Sequence, residues 1–145
     1  MSSGKKRSKK KPAALAASDY RALAEFRFQL RTFLAFASNA AEQAGLAPQQ
    51  HQALLVIKGY PADDEPTIGY LAERLLIRHH SAVGLVDRLA KAGFLKRNIG
   101  KEDRRKVTLA LTAKGEAVLT KLATASRGEL RRLALLKPLL ALVEK

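Results

Sequence analysis

Residues 67–111 contain the pattern that most limits how this chain folds. Thr67 suits the cap of a short helix, and apolar side chains follow at helical spacing at Ile68, Leu71, Ala72 and Leu75. After a tight turn, a second helical segment starts near His79 and stops before Gly93. Two short alternating segments, residues 94–99 and 107–111, then predict the strands of a hairpin. This order is typical of a helix-turn-helix followed by a wing.

The second helical segment has one apolar and one polar face. The apolar face, at 100° per residue, consists of Ala82, Leu85, Val86 and Leu89. The polar face starts with His79, His80 and Ser81, at the end where a helix presents free N–H groups. This favours entry into a DNA major groove by the helix N-terminus, with an unliganded exposed helix start as the alternative. Adjacent histidines diverge by about 100°, so a shared metal ion is not expected.

Small residues in the middle of this helix also bear on DNA. Gly84 costs about 1 kcal/mol of helix propensity relative to alanine, and the close approach of another surface would explain its presence. Val83 and Gly84 offer few groups for direct base readout, and Arg88 flanks the polar face. We therefore expect Val83, Gly84 and Arg88 on the DNA-facing surface.

The segment between the two strands, GKEDRRK, is too long and too basic for a two-residue hairpin turn. Lys101, Arg104 and Arg105 place positive charge at its tip. An arginine there can enter the narrow, electronegative minor groove while the preceding helix occupies the major groove. The alternative is a charged hairpin that only stays solvated.

Charge and composition narrow the function classes. The formal net charge is +14, which favours a polyanionic partner, either nucleic acid or an anionic membrane surface. The absence of cysteine excludes disulfides, thiolate catalysis and thiol-based redox sensing. No stretch of the sequence is apolar for long enough to span a bilayer. We expect a cytoplasmic protein that does not bind membranes.

The two ends of the chain differ in character from the middle. Residues 1–18 predict a basic disordered tail, which alone holds six of the positive charges and serves as a DNA-seeking arm, a solvated leader or an artefact of expression. Residues 19–145 predict one domain, with a DNA-binding lobe at about 48–111 and further helices at about 19–45 and 112–145. The acidic loop at Asp63, Asp64 and Glu65 is expected to be solvated rather than to bind a metal.

Several motifs in this order resemble the MarR-type winged helix-turn-helix transcriptional regulators. The resemblance rests on LAERLLIRHHSAVGLVDRLAKAGFLKR, on a D-x-R wing signature at Asp103 and Arg105, and on L-T-x-x-G at Leu111, Thr112 and Gly115. It implies a mainly α fold with a small β-hairpin wing and with N- and C-terminal dimerisation helices. It also implies that Arg105 enters the minor groove and that Asp103 braces the wing by pairing with an arginine.

The same resemblance implies a function. The chain is expected to be a sequence-specific regulator that binds double-stranded DNA as a homodimer on a pseudo-palindromic operator. The resemblance further implies a repressor that a small aromatic or anionic effector releases from DNA. The effector would bind between the dimerisation helices and the DNA-binding lobe, in a pocket that we expect the first two helices to line. No metal or cofactor is implied.

Other function classes carry less weight. An enzyme is not expected, because the serine, histidine and acidic residues are scattered and no phosphate-binding loop or zinc signature is present. The alternatives are a winged-helix module for protein or RNA and a nonspecific DNA-binding protein.

Overall fold

A computed structural model describes residue 4, residues 14–134 and residues 136–144. Six helices and two strands follow one another in this order: α1 (Ala17–Gln43), α2 (Pro48–Lys58), α3 (Ile68–Leu75), α4 (His79–Lys91), β1 (Leu95–Ile99), β2 (Val107–Leu111), α5 (Ala113–Leu133) and α6 (Leu136–Val143). The lysines and the arginine of the predicted basic tail lie outside the described residues.

The helix-turn-helix forms as the sequence predicts. Thr67 caps α3, since its hydroxyl accepts a hydrogen bond from the Tyr70 backbone N–H at 3.2 Å. The apolar face of α4 is fully buried, and its members are Ala82, Leu85, Val86 and Leu89. Leu85, Val86 and Leu89 share one core with buried residues of α2, α3, β1, β2 and α5, so the core fixes the orientation of α4.

The wing is a two-stranded antiparallel sheet whose register pairs Leu95 with Leu111 and Ile99 with Val107. The predicted start of β1 at Phe94 is wrong by one residue. The Phe94 backbone N–H bonds to the Leu89 carbonyl at 3.0 Å, which completes the end of α4 and keeps Phe94 out of the ladder.

Two helix starts show how local side chains set the boundaries. Helix α1 begins at Ala17, two residues before the predicted Asp19, because the Asp19 carboxylate accepts a hydrogen bond from the Ala16 N–H at 2.9 Å. Helix α6 begins at Leu136, which places Pro138 in the first turn, where its missing N–H costs no helical hydrogen bond.

The sequence places three apolar residues, Leu54, Leu55 and Ile57, on the inner side of α2, and this prediction is wrong for one of them. Leu54 and Ile57 are buried as expected, but Leu55 is 51% exposed. Leu55 is rotated by about 100° from Leu54 around the helix axis, so both side chains cannot face the same core.

The third histidine of the chain, His51, is buried on α2, and desolvation lowers its pKa.

Candidate nucleic-acid interface

The first turn of α4 is exposed, as the sequence predicts. His79, His80, Ser81 and, one turn later, Arg88 are exposed, while Val83 and Gly84 are partly buried. The cap residue of this helix, Arg78, makes no side-chain hydrogen bond to the first turn. In α3 and α5, by contrast, a threonine hydroxyl occupies that role. The beginning of α4 therefore combines exposed polar side chains with backbone donors that no capping side chain uses.

Gly84 leaves space on the outer side of α4. A Cβ atom added to this glycine meets only the end of the Arg88 side chain, with Nη1 at 3.4 Å. Within the described chain, no backbone atom lies close enough to require a glycine here. The close approach predicted from the sequence is thus not made by this chain itself.

The wing tip comprises residues 100–106 and is held by contacts within itself. The Gly100 N–H bonds to the Lys106 carbonyl at 2.8 Å, and the Lys106 N–H bonds to the Asp103 carbonyl at 3.1 Å. A Cβ atom on Gly100 would lie 2.5 Å from the Asp103 carbonyl oxygen, so this tight turn requires glycine. Lys101, Arg104 and Arg105 are exposed around it.

Asp103 pairs with an arginine, and that arginine is Arg105 itself. The Asp103 carboxylate accepts a hydrogen bond from the Arg105 backbone N–H at 3.0 Å and a second from its Nε at 3.4 Å. The Arg105 side chain remains 95% exposed. The carboxylate thus shapes the backbone at the tip while the guanidinium stays accessible to a ligand.

Comparisons with known proteins agree with this geometry. Residues 44–106 match the MarR family. No curated protein matches the chain. The structure of RV1404 from Mycobacterium tuberculosis is similar, with a TM-score of 0.71 at 21% identity over 92% of this chain and 97% of that one. A mutant of MepR from S. aureus bound to an oligodeoxyribonucleotide has a TM-score of 0.66 at 19% identity over 79% and 81%. CouR from Rhodococcus jostii bound to p-coumaroyl-CoA has a TM-score of 0.65 at 21% identity over 82% and 81%.

The chain has the winged helix-turn-helix fold of these structures, and its residues 44–106 match the MarR family. The resemblance inferred from the sequence is thereby confirmed, and so is the predicted fold class, mainly α with a β-hairpin wing. Among the described residues, no helix has the length and apolar character needed to cross a bilayer. The same residues contain no group of three histidine or acidic side chains placed to hold a metal ion.

An ion pair that the sequence did not indicate joins α4 to the wing. The Arg97 guanidinium on β1 donates a hydrogen bond to the Asp87 carboxylate on α4. Both side chains are partly exposed, so the pair contributes little stability, about 0–1 kcal/mol. It is a direct side-chain link between α4 and the first strand of the wing.

The tip-proximal end of the two strands is held from outside the hairpin, by the acidic loop that the sequence predicted to be solvated. Asp63 and Asp64 are exposed, but Glu65 is only partly so. The Glu65 carboxylate accepts hydrogen bonds from the Asn98 side-chain amide at 2.7 and 3.0 Å and from the Thr108 hydroxyl at 2.8 Å. These hydrogen bonds hold the pKa of Glu65 below its usual range. We call this group of three side chains the wing clasp.

The C-terminal end of α4 is joined to α5. The Thr112 hydroxyl caps α5, accepting from the Gly115 N–H at 3.1 Å, and donates to the Gly93 carbonyl at 2.6 Å. Lys114 Nζ donates to the Ala92 carbonyl at 2.7 Å and lies 4.4 Å from the centre of the Phe94 ring. The L-T-x-x-G motif therefore closes α4 as well as opening α5. We call Gly93, Thr112, Lys114 and Gly115 the α4–α5 joint.

Proposed function

We propose that this protein is a sequence-specific regulator of transcription that binds double-stranded DNA as a homodimer on a pseudo-palindromic operator. The observation that carries the proposal is the start of α4, which is exposed, polar and without a capping side chain, in a fold that follows it with a basic wing. A DNA-binding role also agrees with the net charge of +14. It agrees with the cytoplasmic location and the non-enzymatic character expected from the sequence.

In this proposal the first turn of α4 enters the major groove. His79, His80 and Ser81 contact base edges or phosphates, with help from the free N–H groups of the helix end. Val83 and Gly84 allow the helix to approach the groove floor, and Arg88 contacts the phosphate backbone. Base contacts then specify the site, and phosphate contacts fix the position of the helix.

The wing acts in the neighbouring minor groove. Arg105 is the proposed minor-groove residue, because its side chain is 95% exposed on a tip whose backbone is shaped by Asp103. Lys101 and Arg104 lie on the same tip and supply phosphate contacts.

The homodimer is supported by apolar surface on the terminal helices. Large apolar side chains of α1 and α6 are exposed, among them Tyr20, Phe28, Leu34, Leu140 and Val143. A second copy of the chain would cover this surface, which is unfavourable in water. We propose a DNA-binding lobe at about 48–111 and dimerisation helices at about 19–45 and 112–145. A two-fold dimer then requires half-sites about 10 base pairs apart.

The regulatory part of the proposal is a repressor that a small ligand releases from DNA. Its support is that CouR, which has the same fold, was seen bound to p-coumaroyl-CoA. A pocket between the first two helices, for a small aromatic or anionic effector, stays a prediction. One groove of the described chain lies between α2 and α5. Lys58 and Arg127 are exposed there, around Leu119.

The test is selection of bound duplexes from a random pool by the purified protein at near-physiological salt. Enrichment of a palindrome with half-sites about one helical turn apart supports the proposal. Retention of DNA only at low salt without enrichment indicates nonspecific binding, and no retention indicates a protein or RNA partner. Sedimentation of the free protein and of its complex with the enriched duplex gives the stoichiometry, two chains per palindrome.

A further inference from the structure

The tip of the wing extends beyond the contacts that anchor its strands. Next to the tip, the wing clasp joins the loop before α3 to both strands, because Asn98 and Thr108 are cross-strand partners and Glu65 binds both. The backbone adds a hydrogen bond from the Leu109 N–H to the Pro66 carbonyl at 2.9 Å. Among the described residues, the hydrogen bonds of the tip itself are those within its own turn.

The orientation of the tip therefore depends on the clasp. Thr108 is three residues from Arg105 along the chain, a span of about 10 Å in extended backbone. A small rotation at the clasp consequently displaces the Arg105 guanidinium, and the displacement grows with this distance. Minor-groove contacts depend on such placement because the groove is only about 6 Å wide.

The presence of an acidic residue in the clasp needs an explanation. A carboxylate close to DNA repels phosphates, so an acidic residue beside a basic wing tip lowers the affinity for DNA unless it has a compensating role. Glu65 is directed into the protein by three hydrogen bonds, whereas its neighbour Asp64 is exposed and makes no hydrogen bond or ion pair within the described chain. Substitution of Asp64 therefore tests the effect of charge alone, and substitution of Glu65 tests the effect of the clasp.

We propose that Glu65 is a positioning residue, which orients the wing through Asn98 and Thr108 so that Arg105 reaches the minor groove. The proposal rests on the proposed DNA-binding function. It assigns to the acidic loop a part in DNA recognition without any contact between Glu65 and DNA.

The experiment measures dissociation constants on the duplex enriched from the random pool. Glu65→Ala should weaken binding by about fivefold, and Arg105→Ala by about tenfold. Thr108→Val, which removes only the hydroxyl donor, should act in the same direction as Glu65→Ala. The control Asp64→Ala removes one negative charge from the same loop and should leave binding unchanged or slightly tighter. Thermal unfolding of each variant shows that it is folded.

The decisive comparison is a double-mutant cycle, because a general structural defect would persist in any background. Adding Glu65→Ala to Arg105→Ala should cause no further loss, since the guanidinium that the clasp positions is then absent. Glu65→Gln keeps an oxygen that accepts from Thr108 and should recover most of the binding lost in Glu65→Ala.

The outcomes separate this inference from the proposed function. Equal effects of Asp64→Ala and Glu65→Ala, or additive losses in the cycle, would overturn the positioning role while leaving the wing contact intact. Unchanged binding by Arg105→Ala would instead refute the proposed function of the wing, and the positioning role with it.

Discussion

The two ends of α4 are built in opposite ways. The α4–α5 joint binds two carbonyl groups directly after the C-terminal end of α4. The Thr112 hydroxyl donates to the Gly93 carbonyl, and the Lys114 ammonium donates to the Ala92 carbonyl. At the N-terminal end of α4, no side chain of the cap residue binds the first turn, and His79, His80 and Ser81 are exposed.

This difference separates folding from recognition within one helix. Groups at the joint have partners inside the chain, so a substitution there removes contacts that stabilise the native state. Groups at the start of α4 and at the wing tip are left to solvent, so a substitution there should cost little stability and should change DNA binding instead. The predictions below test whether the separation holds.

The largest effect is expected at Gly115. A Cβ atom here would lie 2.0 Å from the Phe94 carbonyl oxygen, which belongs to the backbone and cannot move aside as a flexible side chain would. Gly115→Ala should therefore reduce the free energy of unfolding by about 3 kcal/mol, as overpacking of buried sites does. Thermal and urea-induced unfolding measure the loss.

Gly128→Ala is the matched control for that substitution. Gly128 lies in the same helix, α5, and a Cβ atom at this position meets nothing within 4 Å. The alanine should stabilise the protein by about 0.5–1 kcal/mol. Similar losses in both variants would contradict a special role for the contact between Gly115 and Phe94.

On the recognition side, the largest effect is expected at Arg105. Arg105→Ala should weaken binding to the enriched duplex by about tenfold and should change the free energy of unfolding by less than about 0.5 kcal/mol. The ion pair with Asp103 does not alter this, because the Arg105 side chain is 95% exposed. Fluorescence anisotropy titrations and thermal unfolding of the same preparation measure both quantities.

Arg127→Ala removes the same charge from α5 and controls for the loss of positive charge alone. If both variants bind the duplex equally weakly, the wing contributes only general electrostatic attraction, and the distinction between the wing tip and the rest of the basic surface fails.

A smaller effect is expected at the start of α4, where the change concerns preference among sequences. The double substitution of His80 and Ser81 by alanine should weaken binding to the enriched duplex by about fivefold but should leave binding to random duplex within about twofold. Competition titrations with the two duplexes measure this ratio. Equal losses on both would show that these residues contact phosphates rather than bases.

The sequence predicts the parts of this fold that depend on local periodicity. The bounds of α3, the buried face of α4 and the extent of β2 are confirmed, because each depends on a cap or on a repeat within a few residues. Leu55 shows the limit of this reasoning. An apolar residue on a helix faces the core only if a neighbouring element packs on that side, and the spacing within α2 does not contain this information.

The wing clasp lies beyond such reasoning for a related reason. Asn98 and Thr108 are 33 and 43 residues from Glu65 along the chain, and only the packing of the acidic loop against the wing brings them together. A cluster of three acids between two prolines is typical of a solvated loop, and two of the three are indeed exposed. The pairing of Asp103 with an arginine was implied by the family resemblance, and the structure identifies the partner as Arg105, two residues away.

The smallest expected effect, at Gly84, is also the one in which stability and recognition should change in opposite directions. Gly84→Ala adds a methyl group that meets only the movable end of Arg88, so it should stabilise α4 by about 0.5–1 kcal/mol through helix propensity. If Gly84 is present because DNA approaches the helix closely, the same methyl group should weaken binding to the enriched duplex by a few fold. Gly128→Ala should give the same gain in stability with unchanged DNA binding, since a Cβ atom at Gly128 meets nothing within 4 Å and this residue lies outside the proposed DNA-binding lobe. A variant of Gly84 that is more stable and binds DNA as well as the native protein would show that this part of α4 does not approach the groove floor.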